Sequence, residues 1–354
     1  MRNRAIADLK WRHMFFTYLL CLMMFACPYS ALGKDIPKAL AGGNPEGCDE
    51  ADFSVETLKK KYPEWYALVE TAVKTAGETN SAIDCSPLMN ELISHLRIPT
   101  KKSAIEIYDF IKSLERHETG MQFRDVLKKE TANIGLASPK YVSYAGYFIK
   151  AIFHGETIFG TPDICNYRAR SDVPTIIFGP DSSSILAGSD GPDFSFLFGG
   201  DGDDILGGGG DVTADGFNGH VLVGGKGNDV YLFPNWGAAH IVEENTPEAG
   251  VNVLRVGGNI KPEDLYFSVS DETLRIFYEP AVKETKKWKM VSLRILNWTP
   301  LYPERFIDDP IYRRNWDPTK VVDYPPIQRI EFSDGTILDG QDILKIMESY
   351  EKAK

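Results

Sequence analysis

Between Gly188 and Asp229 the chain packs eight aspartates and fourteen glycines into forty-two residues, and the centre of this stretch reads GGDGDDILG, Gly199 to Gly207. Carboxylates so crowded repel one another, and the stretch holds no arginine and a single lysine, Lys226. A chain that folds there needs a counter-charge, and a hard divalent cation is the simplest one. Calcium takes about six to eight oxygen ligands from carboxylates and backbone carbonyls, and glycine lets carbonyls turn inward at φ values that other residues resist. Glycine and aspartate therefore belong together in such a tract.

The spacing sharpens this expectation. Against the pattern GGxGxDxUx, with U apolar, Gly199 to Gly207 fits at every defined position, and Gly224 to Leu232 fits apart from the aromatic Tyr231 at the apolar place. Upstream, Gly188 to Phe196 keeps two glycines and Asp193 but places Ser195 at the core position, and Gly179 to Ala187 keeps only its leading glycine and Leu186. These copies resemble the repeats-in-toxin (RTX) family, whose nonapeptides wind a parallel β-roll with calcium in its turns. The resemblance implies that successive copies lie on opposite sides of the roll. Gly208 to Val223 would then be one enlarged, degenerate copy, and the two strong copies would share a side. It implies one Ca²⁺ between Asp204 and Asp229, with ligands from Gly200, Asp201, Gly202, Gly225 and Gly227, and makes Asp193 the candidate for a second site. Leu186, Leu206 and Leu222 should stack as core, and His220 should mark a repeat position that has lost its ion.

Phosphate sites are excluded by composition, because the tract has neither the GK[ST] of a P-loop nor a G-x-G-x-x-G opening a helix. Downstream, alternating apolar residues at Leu254 and Val256, at Leu265, Phe267 and Val269, at Leu274, Ile276 and Tyr278, and at Val291, Leu293 and Ile295 predict half-buried strands. Lys261 to Phe267, Asn297-Trp298 and Ile327 to Leu338 are similar to the haemolysin-type calcium-binding-related domain that follows RTX repeats, with Gln328 in place of a glutamate and Asp334-Gly335 as a tight turn. Between Trp298 and Ile327 the chain departs from that pattern with an insertion rich in proline and aromatic residues. Such a loop either stacks on sugars or a cell-surface partner, or folds back as a cap on the roll.

Upstream of the repeats, apolar residues at three and four spacing predict five helices, Val55 to Ala76, Pro87 to Leu96, Lys102 to Arg116, Gln122 to Ile134 and Pro139 to Phe153, with Asp52 or Ser54, Ser86, Thr100 and Ser138 as N-caps. Arg2, Arg4, Lys10 and Arg12 precede an apolar run from Met14 to Ala26 that is shorter than the roughly 20 residues of a membrane span, so residues 1–33 read as a secretory signal peptide. Its removal takes away four basic groups and one acidic group and moves the formal charge from −11 to −14. Cys48, Cys85 and Cys165 remain, with Cys48 and Cys85 as the expected pair.

The expected architecture is thus multidomain: signal peptide 1–33, an N-terminal all-α bundle over 34–165, a short parallel β-roll over 175–233 and a β-rich C-terminal cap over 234–348. The expected function is that of a secreted calcium-binding protein that folds on export, where extracellular modules bind with dissociation constants of about 0.1–1 mM. His117-Glu118 is not followed by the second histidine of a zinc protease, and no G-x-S-x-G is present, so no catalytic residue is assigned. A hydrolase with an unfamiliar helical domain and a calcium-dependent adhesin or polysaccharide binder stay open as alternatives. The acidic balance argues against nucleic acid as a partner, and no stable membrane insertion is expected.

Overall fold

The computed structural model describes residues 55–132, 134, 143–189, 193–208, 219–234, 237–243, 250–270, 273–278, 291–296, 298 and 326–352, which fall within one compact unit. The expected signal segment, Cys48, the insertion at 209–218 and, apart from Trp298, Pro326 and Ile327, the proline- and aromatic-rich insertion lie outside these residues. No helix among the described residues is long and apolar enough to cross a membrane.

Two sheets are wound by one continuous path. Strands β1 (Glu156–Phe159), β3 (Thr175–Phe178), β5 (Ser195–Gly200), β7 (His220–Gly225) and β9 (Ala238–Ile241) pair in parallel in the first sheet. Strands β2 (Asn166–Arg168), β4 (Ile185–Ala187), β6 (Ile205–Gly207), β8 (Val230–Leu232) and β10 (Val253–Val256) pair in parallel in the second. The chain alternates between the sheets, which is a β-solenoid over residues 156–255. It begins before the expected start of the roll at 175 and continues past the expected end at 233. The first coil, β1 and β2, carries no Gly/Asp signature that would betray it.

Inside the solenoid the parallel register stacks Ile177, Leu197, Leu222 and Ile241 from the first sheet against Leu186, Leu206, Tyr231 and Leu254 from the second, so Leu186, Leu206 and Leu222 are core, as expected. After the solenoid, β11 (Leu265–Ser270), β12 (Thr273–Tyr278) and β13 (Val291–Ile295) extend the first sheet as an antiparallel meander joined to β9. Strands β14 (Arg329–Phe332) and β15 (Ile337–Asp339) extend the second, turning at Gly335, whose φ of 91° suits glycine. Trp298 is buried in this core.

Helices α1 (Val55–Lys61), α2 (Pro63–Thr79), α3 (Ser86–His95), α4 (Lys101–Ser113), α5 (Glu118–Ala132) and α6 (Tyr144–His154) precede the solenoid, and α7 (Gly340–Lys352) follows β15. The single helix expected from Val55 divides at Pro63, which suits the first turn of α2. Thr100 caps α4 by accepting the Ser103 N–H. Ser86 is the first residue of α3 rather than its cap, because the Asp84 carboxylate accepts its N–H at 2.9 Å.

These helices do not build a core of their own apart from the roll. Strands β3, β5 and β7 are apolar on both faces, and their outward residues Ile176, Phe178, Phe196, Phe198, Val221 and Val223 share one cluster with the helices. Phe159, Phe178 and Phe198 stack across neighbouring strands at 5.1–5.2 Å, and Phe148 of α6 stands edge-on to Phe196 at 5.2 Å. Phe148→Ala should therefore cost about 3–5 kcal/mol. Helix and strand should be lost together in one denaturant transition followed by circular dichroism, whereas two separate transitions would contradict the shared core.

Candidate metal centre

The described ends of the segments that lead from the first sheet to the second line one edge of the solenoid. From β4 onward the last residue of each segment, just before the strand it enters, is Ser184, Asp204, Asp229, Asn252 and Gln328. They form a ladder in which each side chain after Ser184 accepts the backbone N–H of the coil before it, and the Ser184 hydroxyl donates to Asp204 Oδ1. Asp204 Oδ1 accepts from Ser184 N at 2.7 Å, Asp229 Oδ1 from Asp204 N at 2.8 Å, Asn252 Oδ1 from Asp229 N at 2.9 Å and Gln328 Oε1 from Asn252 N at 2.5 Å. An outer ladder one residue earlier joins Asp203 Oδ1 to Asn228 N at 2.7 Å and Asn228 Oδ1 to Val251 N at 3.0 Å.

The inner ladder occupies only one oxygen of each aspartate. Asp204 and Asp229 are 1% and 0% exposed, and the Oδ2 atom of each is buried with no hydrogen-bond partner. Glycine makes room for these oxygens. A side chain at position 199 would collide with Asp204 Oδ2 and with the Gly224 carbonyl, and one at position 224 would collide with Asp229 Oδ2. At position 199, then, a carboxylate oxygen and a carbonyl oxygen converge on the same small space.

Burial is the leading cause that pushes the Asp204 carboxyl up to about 6, opposed by its hydrogen bonds from Ser184. Burial, reinforced by the charges of Asp204 and Asp203, pushes Asp229 up to about 8. The nearby cations are engaged elsewhere: Lys226 pairs with Asp201 at 2.8 Å, and Lys101 of α4 pairs with Asp181 at 2.7 Å. An edge of this kind can hold a proton or a cation between its coils.

The two strong repeats do share a side, since β6 pairs with β8 and Gly200 lies in register with Gly225. Gly225 and Gly227 adopt φ of 102° and 114° and pack against the carbonyls of Gly200 and Gly202. Gly200, Gly202, Gly225, Gly227, Asp204 and Asp229 are thereby brought to one edge. Asp201 is exposed on that edge, facing Lys226. Asp193 stands at the opposite edge, before β5. His220 is in register two residues beyond a turn aspartate, since its strand neighbour is Ser195. It faces inward, with Nε2 at 3.0 Å from the Ser189 carbonyl and its ring against Gly188 and Gly208.

Sequence reasoning missed Ser184, Asn252 and Gln328 as rungs of the ladder, although each directly precedes an apolar strand. It also missed the reason for Tyr231, whose hydroxyl shares the Gly224 N–H with Glu243, at 2.7 and 2.8 Å. Among the described residues no three His, Cys, Asp or Glu side chains gather as a ligand group, so an ion bound here would draw much of its coordination from carbonyls. The chain matches no family model, no curated protein and no solved structure.

In metal-free protein the sign of the pH dependence follows from the raised carboxyls. Both Asp204 and Asp229 hold protons more tightly when folded than when unfolded, so their contribution is complete below about pH 4 and is lost as pH rises through about 6 and then about 8. Denaturant midpoints measured from pH 4 to pH 9 should fall, and Asp229→Asn, which keeps the Oδ1 acceptor, should flatten the upper part of that fall. Constant stability across the range would contradict the assignment.

Proposed function

We propose that the edge built by Gly199–Asp204 and Gly224–Asp229 binds calcium, and that the protein is a secreted calcium-binding protein whose solenoid is completed by the ion. The observation that carries this reading is the pair of buried, unpartnered Oδ2 atoms on Asp204 and Asp229 in consecutive coils of one sheet. The two carboxylates would hold the ion together with carbonyls of Gly200, Gly202, Gly225 and Gly227. Bound calcium would replace the proton that Asp229 otherwise retains near neutral pH.

The donor set favours calcium over the alternatives. It is all oxygen, with no thiolate or imidazole among the described residues of this edge, which disfavours zinc. It is also irregular and carbonyl-rich, which calcium accepts and magnesium, with its demand for near-octahedral geometry, does not. The RTX-like spacing of the two strong repeats supports the same ion. The basic residues and apolar run at the N-terminus support export, after which millimolar calcium outside the cell would drive folding. On this reading the helices from Val55 form the N-terminal bundle, and the strands after β10 cap the roll.

Calorimetric titration of the full chain with CaCl₂ should give a dissociation constant of about 0.1–1 mM. Calcium at ten times that constant should stabilise the fold by about 1.4 kcal/mol. Asp204→Asn and Asp229→Asn should each abolish the heat and the stabilisation, and MgCl₂ should not substitute. Absence of a calcium response in the wild-type chain, or an equal response in the asparagine variants, contradicts the proposal.

A further inference from the structure

A second set of uncompensated charges lies on the outward face of the first sheet, on the strands that follow the solenoid. The register of β11, β12, β13 and β9 places Ser268, Arg275, Arg294 and His240 in one row across four neighbouring strands. Strand alternation puts the row on the face away from the core, because Leu274, Ile276, Leu293, Ile295, Ala239 and Ile241 on either side of it fill the interior. Arg275 and Arg294 are directly opposed on antiparallel strands, where Cβ atoms stand about 4.5–5.5 Å apart and like charges destabilise the pair.

No ion pair among the described residues relieves that repulsion. Both side chains are half-buried, and among the described residues neither guanidinium forms an ion pair or a hydrogen bond; Arg275 Nε is buried without a partner. Burial, and then the charge of Arg275, hold Arg294 below the ordinary arginine range. The described neighbours in the row supply no negative charge. The Tyr144 hydroxyl lies 2.9 Å from His240 Nδ1, and burial keeps that hydroxyl protonated. Burial, followed by the charge of Arg294, pushes His240 down to about 3, so the imidazole is neutral. Two cations are thus held together in a partly dry setting beside neutral polar groups, with no anionic partner among the described residues.

We propose that Arg275 and Arg294 form an oxyanion-binding site on the outward face of the first sheet, taking a carboxylate, sulfate or phosphate group. Guanidinium suits this class because its planar fork of N–H donors matches two oxygens of one such group. The site is opposite in sign to the Gly/Asp edge and independent of it. It stands whether or not that edge binds calcium.

The test is calorimetric titration of the full chain in calcium-containing buffer at fixed ionic strength, with sulfate, glucuronate and glucose 6-phosphate as ligands and glucose as the neutral control. At least one of the three anions should bind saturably, with no heat from glucose, and Arg275→Gln and Arg294→Gln should each weaken binding by about tenfold or more. Comparison of sulfate with the two sugars separates recognition of the oxyanion alone from recognition of an acidic sugar. Arg294→Glu keeps the assignment testable should a glutamine variant fold poorly. It places a carboxylate beside Arg275, so it should melt above the wild-type chain in chloride and lose the anion response. No saturable binding by any of the three anions, unchanged binding in both glutamine variants, or an Arg294→Glu chain that melts lower and still binds would overturn the site.

Discussion

The burial of Asp204 and Asp229 with no ion-pair partner among the described residues is the constraint around which this fold is arranged. A carboxylate removed from water needs hydrogen bonds, a partner of opposite sign, or a proton. Here the backbone N–H of the preceding coil satisfies one oxygen of each group. The other oxygen is left facing a glycine. The first half of that arrangement fixes the register from coil to coil; the second half leaves a demand that only a proton or a cation can meet. Stacking of coils and affinity for positive charge are thus two consequences of one geometry.

The remainder of the molecule keeps that edge in place. Interior leucines and isoleucines set the spacing of the sheets, and Tyr231 reaches across to Gly224 beside the second aspartate. On the outer face of β3, β5 and β7 a row of phenylalanines and valines binds the helices, so the sheet that leads into the Gly/Asp turns is buried on both sides. Lys101 extends from α4 to Asp181, which ties the helical layer to the same edge.

Much of the solenoid was legible because its chemistry is repetitive. Two GGxGxD copies separated by one enlarged unit predict that Asp204 and Asp229 fall on the same side, and the parallel pairing of β6 with β8 places them there. The alternation from Leu254 to Ile295 likewise predicts β10 to β13. The first coil was not legible, since Glu156–Phe159 and Asn166–Arg168 hold their places by pairing with β3 and β4 rather than by any turn signature. The sequence does signal the shared core: TIIF, SFLF and HVLV are runs suited to strands covered on both faces, whereas an exposed roll would alternate. The ladder partners Ser184, Asn252 and Gln328 are ordinary polar residues whose role depends on coils distant in sequence.

The central claim is that two buried carboxyls share an edge that only positive charge can complete, and carbon-13 NMR titration of the aspartate carboxyls reads this directly. In metal-free protein Asp204 and Asp229 should titrate near 6 and 8, and addition of millimolar Ca²⁺ should bring both below the ordinary aspartate value of 3.8. If both carboxyls titrate near 3.8 without metal, or hold their raised values when calcium is added, the account is contradicted.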